Sequence, residues 1–252
     1  MNPTLIGVLV FACAFGGTLL GMRLKSLLPE HHLHDDSKGS VQLGVGLIAT
    51  MTALVLGLIT ASAKSSFDDV NELMKNTAAD LLSLEDALAH FGPAADSIRA
   101  DMHETVRLRI DMIWPQDGGQ ASIDPFALAD RVDRMAAGIR GLVPASSEQQ
   151  WHYNRANELI GPITSARWNV ASGLTNSIPP PFLAVLVFWI AVTFVSFGMF
   201  APGNATVITV MFLCALSIGG AIFLVLEMDE PFAGLIRASS EPLRYALALM
   251  ER

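Results

Sequence analysis

Four stretches of this chain, residues 4–22, 41–63, 182–201 and 205–226, run without a single Asp, Glu, Lys, Arg or His. At 1.5 Å per residue a helix needs about 20 apolar residues to cross a hydrocarbon layer of about 30 Å, and each stretch approaches or meets that length. A mean hydropathy of +0.45 and a charged fraction of only 16% fit a chain that treats lipid as part of its solvent. The first stretch has no basic residue before it, and Arg23 and Lys25 follow it where a signal-peptide cleavage site would stand, so it reads as a retained helix.

Pro179-Pro180-Pro181 stops whatever helix precedes the third span, and Ala201-Pro202-Gly203-Asn204 is a turn long enough only for an antiparallel hairpin. The expectation is that spans three and four pair directly. Four crossings put both termini and the segment between spans two and three on one side. Lys64, Lys75, Arg167, Arg237 and Arg244 flank the spans on that side against Arg23, Lys25 and Lys38 in the first loop, which points to a cytoplasmic segment. The flanks of the first span alone point the other way.

Residues 1–63 and 179–226 thus read as two transmembrane hairpins, 64–178 as a soluble helical bundle, and 227–252 as an acidic cluster followed by an amphipathic tail helix. In the bundle, Val70, Met74, Thr77, Leu81, Leu84, Leu88 and Phe91 form a seam on a helix continuing from span two and closed by Gly92-Pro93. Ile98, Met102, Val106, Ile110 and Ile113 line a second helix. Asp124-Pro125 opens a third that uses Leu128, Val132, Met135, Ile139 and Leu142. A fourth starts near Ser147, with Gln150 as capping-box partner, and runs through Trp151, Leu159, Ile163, Val170 and Leu174, with Pro162 inside it. These stripes read as packing, and nothing polar converges within them to suggest an enzyme. Ser240 is placed to cap the tail helix, whose face of Leu243, Ala246, Leu247 and Met250 is expected under the spans or against a neighbouring subunit.

Span two carries the most informative pattern. Gly46, Thr50, Ala53, Gly57 and Thr60 form a small-residue stripe leading to Lys64, beside Leu47, Met51, Leu54 and Leu58 on a neighbouring face. Small residues let helices approach closely in lipid, so the stripe is either a packing seam or the wall of a pore in which Leu and Met rings gate by dewetting. Four helices enclose little space, and a pore therefore requires several subunits. The lack of buried charge in every span argues against ion-coupled carriers, whereas passive conduction needs none.

Three other clusters are candidates for ion chemistry. Glu227, Asp229 and Glu230 close span four with the oxygens that calcium prefers, or form a solvated membrane boundary. The first loop gathers Glu30, His31, His32, His34, Asp35 and Asp36, and His31 and His34 are candidate transition-metal or pH-sensing residues in what is otherwise a solvated loop. Cys13 and Cys214 lie in apolar runs and match no disulfide framework or zinc spacing. No cofactor beyond calcium is suggested. A net charge of −8 without any basic cluster excludes nucleic acid as a partner.

Asp36-Ser37-Lys38 leading into residues 44–57, then Ala61-Ser62-Ala63-Lys64-Ser65-Ser66, and the tail Leu226-Glu227-Met228-Asp229-Glu230-Pro231-Phe232 through Leu235-Ile236-Arg237 to Ser240-Glu241-Pro242-Leu243 resemble the bacterial bestrophin-like membrane proteins over nearly the whole chain. The resemblance implies an all-α integral membrane fold in a homo-oligomer, as in the pentameric bestrophin anion channels, with four spans per subunit and a pore lined by span two. It would make Leu47, Thr50, Met51, Leu54, Gly57, Leu58 and Lys64 pore-lining, and Glu227, Asp229 and Glu230 the counterpart of an acidic stretch that helps to bind calcium. The aromatic constriction of animal bestrophins has no evident counterpart here, where Leu47, Met51, Leu54 and Leu58 stand instead. The expected partners are the lipid bilayer, further copies of the chain and inorganic ions. The rival reading is a non-conducting membrane scaffold or sensor whose soluble helices bind a protein partner.

Overall fold

The computed structural model describes residues 2–27, 35–115, 126, 128–173, 178–232 and 234–252, without the side chains of 35–38 and 167–173. Helices account for nearly all of it: α1 (Pro3–Leu27), α2 (Asp35–Phe91), α3 (Asp96–Ile113), α4 (Ala129–Arg140), α5 (Ser147–Gly173), α6 (Pro180–Phe200), α7 (Ala205–Asp229) and α8 (Glu241–Met250). No strand occurs among the described residues. Four helices, α1, α2, α6 and α7, are long and apolar enough to cross a membrane. The chain divides into two compact units, Met1–Ser65 with Ser177–Asp229, and Ser66–Asn176 with Glu230–Arg252.

In the first unit α1 packs against both α6 and α7. Its buried seam is Gly7, Val10, Ala14, Gly17, Thr18 and Gly21, small residues at helical spacing that let the backbones approach closely. A Cβ at Gly7 would lie 2.9 Å from Phe223 Cβ, one at Gly219 would lie 2.9 Å from the Gly7 carbonyl, and one at Gly21 would lie 2.8 Å from Met199 N. Val10, Ala14, Leu186, Ile190, Phe194, Ala215, Ile222 and Leu226 complete the core. The expected direct pairing of spans three and four is therefore corrected: α1 is the close partner of each, because the small seam that permits close approach lies on α1.

Two polar contacts fix the ends of this unit. Lys25 Nζ donates to Ala201 O at the C-terminus of α6 (3.0 Å), and Asp229 Oδ2 at the end of α7 accepts the Ile178 N–H just before the proline run (3.2 Å). The first pair lies where α1 and α6 end, the second where α6 begins and α7 ends. Antiparallel crossings demand that arrangement.

The second unit is a helical bundle around Leu84, Leu88, Met102, Ile110 and Ile139, all nearly or fully buried. Within α2, Ala78 rather than Thr77 takes the buried position between Met74 and Leu81. Helix α2 stops at Gly92, which adopts a φ of 105° that only glycine accepts readily, and Pro93 opens a single 3₁₀ turn. Helix α4 begins after Leu128, itself in the left-handed region, while Asp124 and Pro125 lie outside the described residues.

The capping box of α5 is displaced by one residue from the sequence expectation. Ser146 Oγ accepts the Gln149 N–H (3.1 Å), Gln149 Oε1 accepts the Ala145 N–H (2.8 Å), and Gln149 Nε2 donates to Phe91 O (2.8 Å). The buried face of α5 keeps the expected Leu159 and Ile163 beside His152, Ala156 and Ile160, whereas Trp151 is exposed; Val170 and Leu174 lie outside the described side chains. The tail helix is also corrected. Its Leu243, Ala246 and Met250 pack into this unit's own core beside α3, since a buried face was open there. Ser240 makes no side-chain cap; Ser239 Oγ instead accepts the Glu241 N–H (3.1 Å), and Ser240 Oγ accepts from Arg244 Nε (3.1 Å).

Candidate functional site

Span two behaves unlike the other three. Its buried or partly buried residues are Val45, Ile48, Ala49, Thr52, Val55, Leu56, Ile59 and Ala63, and Val55, Leu56 and Ile59 rest on the core formed by α1, α6 and α7. This largely β-branched seam contains no glycine, in contrast to the glycine-rich seam of α1. The opposite side of α2 is uncovered within the chain. Only 6% of its most apolar window is buried, against 33% for α1.

That uncovered side unites two sets of residues. Leu47, Leu54 and Leu58 are more than 60% exposed and Met51 is 49% exposed, while Thr50, Ala53, Gly57 and Thr60 alternate with them. Nothing lies within 4 Å of a Cβ added at Gly44, Gly46 or Gly57. The small stripe is therefore not a packing seam inside the chain; the residues that do that work are in α1. The hydroxyls of Thr50 and Thr60 donate to Gly46 O (2.9 Å) and Leu56 O (2.7 Å), which satisfies them in an apolar setting and leaves their oxygens as outward acceptors. Lys64 is exposed just below this face.

The sequence reading missed the covered seam, although Val45, Ile48, Thr52, Val55 and Ile59 recur at helical spacing and are β-branched throughout. It also missed Glu85, which interrupts the buried run between Leu84 and Leu88. Glu85 Oε1 accepts from Arg99 Nε (2.9 Å) and Nη2 (2.5 Å), and Oε2 lies 2.9 Å from His103 Nε2. The hydrogen bonds that Arg99 donates to Glu85 are the main reason that its guanidinium is held above its ordinary pKa, with Asp96 adding to the effect and desolvation opposing it. This network ties α2 to α3 in the second unit.

The acidic residues at the end of α7 are separated in role. Glu227 is buried, Asp229 receives the Ile178 N–H, and Glu230 begins the second unit. Among the described residues no group of three or more His, Cys, Asp or Glu side chains is arranged to hold a metal ion. His31 and His34 lie outside the described residues.

The tail motif that follows is anchored at several points. Phe232 is fully buried with its ring edge-on to Trp114 (5.7 Å between centroids), Trp114 Nε1 donates to Ala238 O (2.9 Å), and the Ser239 N–H donates to Asn71 Oδ1 (3.3 Å). A family model described as the bestrophin-like domain matches residues 10–243, which takes in most of the first span, the other three spans, the bundle and the tail as far as Leu243. The chain belongs to the bestrophin-like family. No curated protein and no solved structure matches it at a significant level. As a bestrophin-like chain with four apolar helices it is a multi-pass membrane protein, and lipid faces part of its surface.

Proposed function

We propose that this bestrophin-like protein is a homo-oligomeric, pentameric ion channel whose pore is lined by α2, with the soluble bundle and both termini in the cytoplasm of a bacterial cell with the channel in its inner membrane. One observation carries the reading: the transmembrane part of α2 leaves Leu47, Thr50, Met51, Leu54, Gly57 and Leu58 uncovered in its own chain, and family membership supplies an architecture that uses such a face. Around an axis, rings of Leu54 and Leu58 make a hydrophobic constriction, Thr50 offers hydroxyl oxygens to water, and Lys64 sets charge at one mouth. No buried ionisable group is needed for passive conduction.

The test is electrical. Purified protein in planar bilayers passes current, and reversal potentials in asymmetric salt assign its selectivity. Silence across ion types and voltages, with protein shown to be inserted, would sink the reading.

A further inference from the structure

Beside the first turns of α2 within the span, where α6 ends and α7 begins, the first unit carries an open groove of about 450 Å³. Gln42, Val45 and Gly46 of α2 form one wall, Ser196, Phe197, Phe200 and Ala201 of α6 another, and Met211 of α7 closes it. Ser196 to Ala201 spans about 7.5 Å of helix axis, so the groove runs from the rim of the apolar region more than one turn into it. The lack of close pairing between α6 and α7 leaves this space. At its mouth stands Lys25, which shares a helix face with Gly21 four residues earlier and so faces α6. Its ammonium donates to the carbonyl of the groove residue Ala201 (3.0 Å), leaving two further donors.

We propose that this groove holds an acyl chain of an anionic phospholipid whose phosphate sits on the Lys25 ammonium. The occupant follows from the chemistry: an apolar trough opening along a bilayer, topped by a cation at headgroup depth, matches a tail joined to a phosphate. A free anion gains nothing from the Phe197 and Phe200 walls, and a zwitterionic lipid brings a cationic group to the same mouth. Lys25 also meets the negative end of the α6 dipole, a structural role that would not distinguish one lipid headgroup from another. The site is independent of whether the protein conducts.

Full-length protein, stripped of lipid in a mild detergent, is titrated with phosphatidylglycerol or phosphatidylcholine of identical chains, and bound lipid is counted by native mass spectrometry. Wild type binds phosphatidylglycerol about five- to tenfold more tightly. Lys25→Gln brings the two lipids to parity, Lys25→Arg keeps the preference, and Gly46→Leu, on a groove wall where an added Cβ has nothing within 4 Å, weakens both. Equal affinities in wild type, a preference that survives Lys25→Gln, or indifference to Gly46→Leu overturns the proposal. So does efficient disulfide linkage between subunits through Phe197→Cys, on the α6 wall, in a chain lacking Cys13 and Cys214, which would put a second copy of the protein in the groove.

Discussion

Gly198 and Thr18 are in backbone contact: a methyl group on the Cα of Gly198 would lie far inside van der Waals contact distance of the Thr18 carbonyl oxygen. Backbone atoms cannot swing aside as a flexible side chain can. Gly198→Ala should therefore destabilise the first unit by about 3 kcal/mol, the upper part of the overpacking range. Gly57→Ala is the control, because nothing lies within 4 Å of its added methyl and the helix gains about 1 kcal/mol of intrinsic propensity. Thermal melts of the two variants in the same detergent check the pair, and equal melting temperatures would show that α1 and α6 are not in such close contact.

Glu85 sits among Leu84, Leu88 and the other core residues of the second unit with both carboxylate oxygens engaged by Arg99 and His103. Glu85→Ala leaves the guanidinium half-buried without its main partner and should cost about 2–3 kcal/mol, below the range for fully buried pairs because one edge of Arg99 meets water. Replacing both by Met should recover much of the loss. The share that Arg99 contributes has a definite sign, because its pKa is raised. A raised cation contributes its full share below its unfolded-state pKa and loses it only as pH rises through the folded value, so this share stays constant from neutral into strongly alkaline pH. Chemical denaturation of the single and double variants decides the matter, and a single variant as stable as wild type would mean that the network is incidental.

Trp114 and Phe232 give a graded test of how firmly the tail is held. Trp114→Phe keeps an aromatic edge against Phe232 but removes the donor to Ala238 O, a loss of about 1 kcal/mol. Phe232→Ala empties a fully buried site and should cost about 3–5 kcal/mol. Limited proteolysis near the exposed Leu235 is the readout. Cleavage should rise modestly in the first variant and steeply in the second, and the reverse order would mean that the hydrogen bond rather than the buried ring holds the segment.

The four spans and most bundle seams could be read from the sequence because each depends on a property of single residues repeated at helical spacing. Val70, Met74, Leu81 and Ile98 are apolar wherever their neighbours lie. The partner of a seam is a different matter. Glycines in α1 and in α2 look alike on paper, yet Gly21 touches the backbone of α6 whereas Gly57 touches nothing, since only three-dimensional packing decides which small stripe is spent. The capping box slipped by one residue for a similar reason: Ser146 and Ser147 are chemically equivalent caps, and the reach of Gln149 to Phe91 O selects the first. The tail helix was misplaced because its apolar face is generic, and a generic face goes to whichever core lies open beside it.

Leu54 and Leu58 are 64% and 63% exposed, whereas Val55 and Ile59 on the same helix rest on the core of the first unit. The two pairs should respond oppositely to truncation. Leu54→Ala and Leu58→Ala remove surface that the chain itself does not bury, so its melting temperature should shift by less than the equivalent of about 0.5 kcal/mol. Val55→Ala and Ile59→Ala remove packed atoms and should each cost about 1–2 kcal/mol, in proportion to their partial burial. Conduction should divide the other way, with the Leu variants widening a hydrophobic constriction and raising single-channel conductance while the Val and Ile variants leave it nearly unchanged. If Val55→Ala and Ile59→Ala alone altered the current, the water-filled axis would lie on the covered side of α2, and the face assigned to it here would belong to lipid.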